Sequence, residues 1–251
     1  MPIQRRAAAA ALAAAPWAAR AQGTPRSYAI VSEFAREIRV VFFQESTGTR
    51  TRANREDRIP IDGNAFDKFA QAVAQDTIRQ VDPGAAVWPV APLNVDLMSG
   101  RDSFAEGSTV TLPADLAAAL RERGATHLVT LTRLRDAANL RAAHGRLGDG
   151  PLEGLGFYID RHQEMVNTET LVSSKGFLAP FLYVRATLVE LPSGRVVRMR
   201  RHAEGVVLAA EKAEQGGDPW NVMPADRKLA VLSDMVRQEV ARLVRELVAA
   251  R

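Results

Sequence analysis

The chain contains no cysteine among its 251 residues. This absence excludes a disulfide framework, a zinc site with cysteine ligands, a thiol nucleophile and a lipid attached to an N-terminal cysteine. With 47% hydrophobic residues, a chain of this length can be held together by its own core. We therefore expect one domain, residues 28–251, that needs no covalent cross-link.

The chain also lacks a large excess of one charge, because it has 33 basic and 29 acidic residues and a net charge of +4. Three of the arginines, Arg5, Arg6 and Arg20, lie in the first 21 residues, which contain no acidic residue. Removal of that segment lowers the net charge to +1. A nearly neutral chain gives no reason to expect nucleic acid as a partner.

Long hydrophobic runs are absent after residue 23, where no segment approaches the ~18 apolar residues of a membrane-spanning helix. The apolar run at residues 7–19 follows Arg5 and Arg6 and precedes Ala19-Arg20-Ala21, the small-x-small pattern of a signal-peptidase site. As a helix this run spans roughly 20 Å, too short for a bilayer core of about 30 Å. We interpret residues 1–21 as a signal peptide and 22–27 as a short linker. The protein is then exported to the bacterial periplasm as a soluble chain without a membrane span. The arginine pair leaves the general and twin-arginine export routes open.

Recognisable catalytic signatures are missing as well. The sequence has no His-Glu-x-x-His run, no Gly-x-Ser-x-Gly elbow and no phosphate-binding loop with its lysine. Its four histidines, His127, His144, His162 and His202, do not have the spacing of a helical metal site. We therefore assign no catalytic residue, no metal and no cofactor, and a non-catalytic protein is preferred over an enzyme.

Strand patterns occur along most of the chain. Residues 28–34 and 37–44 are rich in β-branched and aromatic side chains and predict two strands close enough to pair. Residues 126–134 predict a buried strand. The segments 181–191 and 195–208 predict a hairpin, because Pro192-Ser193-Gly194 separates them as a turn.

Helical spacing predicts three helices, after residue 64, after Pro113 and at the C-terminus. The apolar stripe of the last helix is formed by Leu229, Leu232, Val236, Val240, Leu243 and Leu247. Helices alternating with strands and followed by a hairpin predict an α/β (α+β) fold, in which helices pack on a mixed β-sheet.

A long β-rich insertion at about residues 136–176 interrupts this order, because glycines collect there and the periodicity fails. Phe157, Tyr158, Phe177 and Phe181 lie in or next to it on segments that begin with glycine. Aromatic side chains on irregular backbone are typical of a partner surface, so these four are the candidate partner-binding residues. The alternative is a hairpin whose aromatic side chains cap the core of the sheet. An enzymatic alternative is a periplasmic hydrolase that uses Asp160 and His162.

Two short motifs resemble a group of bacterial envelope domains. Residues 189–194 (VELPSG) resemble the turn of its strand-turn-strand unit, and residues 124–129 (GATHLV) resemble the entry to its central strand. The group includes CsgG, the N-terminal domain of TolB and penicillin-binding-protein activator lipoproteins. The chain departs from it by lacking the lipidated cysteine and by carrying the insertion. The whole chain also resembles uncharacterised exported proteins of proteobacteria. The resemblance implies a binding or accessory module of the cell envelope, with an envelope protein as partner and with the oligomeric state left open.

The leader predicts cleavage between Ala21 and Gln22. Intact-mass measurement of protein recovered from the periplasm should give a chain that begins at Gln22. Exported protein that still carries residues 1–21 would contradict this assignment.

Overall fold

The computed structural model describes residues 25–45, 54–91, 105–166, 173–209 and 217–249. The predicted signal peptide therefore lies outside the described residues. The described strands are β1 (Ser27–Glu33), β2 (Glu37–Phe42), β3 (Arg55–Pro60), β4 (Ala86–Pro89), β5 (His127–Arg133), β6 (Arg135–Ala137), β7 (Leu140–Ala142), β8 (Gly145–Leu147), β9 (Pro151–Val166), β10 (Ser173–Glu190), β11 (Arg195–Val206) and β12 (Leu208–Ala209). The described helices are α1 (Ala65–Val81), α2 (Ala114–Glu122) and α3 (Ala225–Val248). The predicted mixed α+β fold is confirmed.

Strand β10 holds the sheet together. Along one edge it pairs first with β9 and then with β5, both antiparallel. The change of partner falls between Tyr183, which lies opposite Gly154, and Val184, which lies opposite Arg133. Along its other edge β10 pairs with β12 and with β11, the second strand of the predicted hairpin. Strands β9 and β5 therefore lie end to end beside one long strand.

The next position in the sheet repeats this end-to-end arrangement. Strand β1 pairs in parallel with β5, and β2 pairs in parallel with β9. The predicted pairing of β1 with β2 is therefore wrong. The short joint between them is fixed by Asp67 of α1, whose carboxylate accepts hydrogen bonds from the N–H groups of Phe34 and Ala35 at 3.0 and 3.3 Å. Because α1 satisfies these donors, the chain need not fold back into a hairpin here. Strand β4 then pairs with β1, and β3 pairs with β2.

Glycine permits the close approach of β2 to β9. Gly156 lies opposite Arg39 on β2 and opposite Phe181 on β10. A Cβ atom at Gly156 would clash with the carbonyl group of Arg39 and would lie 2.9 Å from the ring of Phe181. This glycine therefore serves strand packing rather than a loop.

Helices α1 and α3 cover one face of the sheet. The apolar stripe predicted for α3 is buried from Leu232 to Leu247, in one core with Ile78 of α1 and Val129 of β5. Its first member differs, because Leu229 is 50% exposed. Within the described residues, no helix is long and apolar enough to cross a bilayer.

The opposite face carries two further groups of buried side chains. Helix α2 packs Leu116 and Leu120 against Val31 of β1 and Leu128 of β5. The region from residue 136 to 176 supplies β7, β8, β9 and the start of β10, and so is β-rich as predicted. Strand β9 lies inside the sheet between β2 and β10. Both faces of the sheet are therefore covered around β9 and β10.

Candidate functional site

The four aromatic residues expected to contact a partner are all in the interior. Phe157, Tyr158, Phe177 and Phe181 are at most 2% exposed. The ring of Phe157 meets the edge of Trp220, with centroids 5.7 Å apart. On the other face, the rings of Tyr158 and Phe177 stack at 5.9 Å. Their burial agrees with the core-cap alternative and gives no support to contact with a partner.

Two buried tyrosine hydroxyls tie the connecting segments to the sheet. The hydroxyl of Tyr158 accepts a hydrogen bond from the N–H of Asp149 at 3.1 Å. The hydroxyl of Tyr183 accepts one from Asn139 N–H at 2.7 Å and donates one to the carbonyl of Ala137 at 3.1 Å. Burial raises the pKa of both tyrosines to about 12. Both phenols are therefore protonated at neutral pH and act as structural anchors.

A polar cavity of about 630 Å³ brings together the residues of the hydrolase alternative. It is lined by Asp160, His162 and Glu45, and His162 Nδ1 lies 3.6 Å from the Glu45 carboxylate. However, Asp160 Oδ1 accepts hydrogen bonds from the backbone N–H groups of His162 and Gln163 at 2.7 and 2.9 Å. This oxygen therefore holds the backbone of β9 where its register with β10 shifts, and does not orient the imidazole ring.

Two of the other histidines make different contacts. His127 Nδ1 lies 2.9 Å from the hydroxyl of Thr126, and His202 Nδ1 lies 3.0 Å from the Glu239 carboxylate of α3. In the part of the chain that the structure describes, no three His, Asp or Glu side chains are placed to hold a metal ion.

A buried arginine fixes the edge of the sheet. The guanidinium of Arg39, which is 4% exposed, contacts the carboxylates of Glu37, Glu56 and Glu153 at 3.1 to 3.2 Å. These partners lie on β2, β3 and β9, so one side chain links three neighbouring strands. Burying a charge is costly unless it is paired, and here three carboxylates surround it. The cluster holds β3 in place although all six residues of that strand are exposed.

An apolar surface lies beside β3, at a groove of about 550 Å³ between this strand and the first turns of α1 and α3. Ile59 is 46% and Leu229 is 50% exposed, and both line the groove with Phe69. They are two of the three large apolar side chains that are exposed in the described chain. We call this surface the β3 groove. Sequence reasoning missed it, although Ile59 stands out in the otherwise charged segment REDRIP.

No protein-family model and no curated protein matches the chain. Several solved bacterial structures are similar to it. The PelC dodecamer of Paraburkholderia phytofirmans has 11% identity and a TM-score of 0.34, over 90% of this chain and 89% of that one. A Xanthomonas campestris protein of the family DUF330 has 10% identity and a TM-score of 0.34, over 89% and 81%. A putative neuraminyllactose-binding hemagglutinin homolog of Helicobacter pylori has 9% identity and a TM-score of 0.38, over 89% and 87%. These comparisons do not show the resemblance of the chain to CsgG or TolB, which stays a prediction.

Replacing both Tyr158 and Phe177 by serine should destabilise the protein strongly. Truncation of a buried aromatic ring costs about 3–5 kcal/mol, and the two rings stack, so the combined cost need not equal the sum. Urea denaturation should show that the free energy of unfolding falls by several kcal/mol. The control is Val166→Ser on β9, the strand of Tyr158; Val166 is 60% exposed, so this change should alter the free energy of unfolding little. If the double variant kept its stability and lost the ability to bind a partner, the result would support the prediction that these two rings bind a partner.

Proposed function

We propose that the chain is an exported binding module of the cell envelope, without a catalytic role, that binds an extended segment of a partner protein at the β3 groove. The observation that carries this proposal is the exposure of Ile59 and Leu229 in one concave apolar surface. Covering the exposed half of such a side chain contributes roughly half of the 1.5–3 kcal/mol that full burial gives, about 1 kcal/mol each, so a partner that fills the groove gains affinity there. The predicted leader at residues 1–21 supports the export part of the proposal.

The backbone of β3 suits the addition of another strand. Within the described chain β3 pairs only with β2, so the outward N–H and C=O groups of alternate residues face solvent. An extended peptide can pair with such an edge and gain main-chain hydrogen bonds. The Arg39 cluster holds β3 in position beforehand, which lowers the entropic cost of binding.

The charges of β3 define the kind of partner. Arg55 pairs with Asp57 at 3.2 Å, and Arg58 pairs with Glu56 at 2.9 Å. Charged edge strands resist unselective pairing, so only a complementary strand is accepted. An antiparallel partner then needs an aliphatic residue opposite Ile59, a basic residue opposite Asp57 and an acidic residue opposite Arg55. Its pattern, from N- to C-terminus, is aliphatic-x-basic-x-acidic.

A hydrolase remains the second candidate, because Asp160, His162 and Glu45 line one cavity. Against it, the described lining of that cavity contains no serine, threonine or cysteine that could act as nucleophile. The hydrogen bonds that the Asp160 carboxylate accepts from two backbone N–H groups also give it a structural role. The binding function therefore has the better support.

A synthetic peptide with the pattern Ile-x-Lys-x-Glu tests the proposal by calorimetric titration. Leu229→Glu and Ile59→Glu should each weaken its binding at least about tenfold, because each places a charge in the apolar groove. Val166→Glu makes the same change at an exposed apolar position outside the groove and should leave the affinity within about twofold. The three variants should melt close to the wild type, since surface changes cost about 0.5 kcal/mol or less.

N-methylation of the peptide on the edge that faces β3 provides the second arm. It removes main-chain donors while keeping every side chain, so strand addition predicts a loss of binding. Equal binding of the methylated and unmethylated peptides, or equal binding by the wild type and Leu229→Glu, would contradict the proposal.

A further inference from the structure

A second cavity lies on the other face of the sheet, independent of the β3 groove. It has a volume of about 570 Å³ and is enclosed by residues 109–112, the second half of α2 and the turn between β10 and β11. Its size falls in the usual range for small-molecule sites, about 300–1,000 Å³. We call it the Arg121 pocket.

The walls of this pocket are held by backbone hydrogen bonds. Val110 N–H donates to the carbonyl of Gly194 at 2.8 Å, and Leu191 N–H donates to the carbonyl of Thr126 at 2.8 Å. Gly194 has φ +71°, and a Cβ atom there would clash with the carbonyl of Val110. Because glycine is needed for this close approach, the turn and residues 109–112 form one fixed wall. The pocket is therefore largely formed before any ligand binds.

The lining combines an apolar surface with a single charge. Leu112, Ala117 and Leu191 supply apolar contacts, and the lining also includes four residues with hydroxyl groups, Thr109, Thr111, Thr126 and Ser193. Arg121 is the one charged residue of the lining, and its guanidinium makes no ion pair or hydrogen bond within the described chain. The neighbouring Glu190 is already paired with Arg195 at 3.2 Å, and neither residue lines the pocket.

We propose that the Arg121 pocket binds a monocarboxylate with an unbranched apolar chain. The carboxylate pairs with the guanidinium of Arg121, and the chain lies against Leu112, Ala117 and Leu191. A guanidinium matches a carboxylate with two parallel hydrogen bonds. One arginine balances one negative charge, which favours a carboxylate over a doubly charged phosphate. The apolar walls exclude a small hydrophilic acid as the preferred ligand, because its polar groups would lose hydration there.

Decanoate is the probe, with decanol as the same chain without the charge, and both are titrated calorimetrically into the full mature protein. We expect decanoate to bind at least about tenfold more tightly than decanol, the difference typical of a charge-assisted hydrogen bond. Arg121→Gln should remove this difference by weakening decanoate alone. Arg123→Gln is the matched control two residues away, outside the lining, and should stay within about twofold of the wild type.

Ala117→Phe fills the pocket and should weaken decanoate and decanol together, with Ala117→Leu as the smaller change if the first variant melts early. Three outcomes would overturn the proposal. Decanoate could bind no better than decanol. Its affinity could survive Arg121→Gln. Its binding could be lost in Leu229→Glu and kept in Ala117→Phe, which would place the ligand in the β3 groove. The last outcome does not test strand addition at β3, which the peptide titration tests. Each proposal can therefore be contradicted without the other.

Discussion

The pairing of β10 with two strands along one edge is the constraint on which the rest of the structure depends. Because β9 and β5 share this edge, β5 must end where the pairing of β9 begins, opposite Val184 and Tyr183. The strands beyond them, β2 and β1, then follow one line and cannot form a hairpin with each other. The joint between these strands needs Asp67 from α1, which couples the helical layer to the sheet. The close packing of β2 on β9 needs Gly156.

This arrangement also determines where binding surfaces can form. Both faces of the sheet are covered around β9 and β10, so the aromatic side chains of these two strands are buried in the core. Open surface remains at the periphery, where β3 pairs on one side only and where α2 meets the turn after β10. The β3 groove is apolar beside a charged strand edge, whereas the Arg121 pocket is apolar around one cation. The two proposed sites therefore differ in the ligand chemistry that we propose for each.

Much of the fold could be predicted because patterns within a few residues of sequence determine its helices and turns. The stripe from Leu232 to Leu247 and the turn at residues 192–194 are set by spacing and turn chemistry within a few residues. The sequence left two positions open for Phe157 and Tyr158, a partner surface and the core of the sheet, and the structure buries both. A strand covered on both faces shows no alternation, and glycines needed for close strand contact look like loop glycines. The β3 groove depends on where α1 and α3 meet a strand distant in sequence. The exposed positions of Ile59 and of Leu229, the latter at the end of an otherwise buried stripe, reveal it in the structure.

Hydrogen–deuterium exchange of the mature protein, with and without the Ile-x-Lys-x-Glu peptide, tests strand addition at β3 most directly. The outward-facing amides of residues 55–60 have no partner strand within the described residues and should exchange quickly. Strand addition predicts that the peptide slows their exchange, with smaller changes around Leu229 and no change along β10, which already pairs along both edges. Slower exchange at the turn of residues 191–194 instead, or no change at residues 55–60 when the peptide saturates the protein, would contradict binding at this edge.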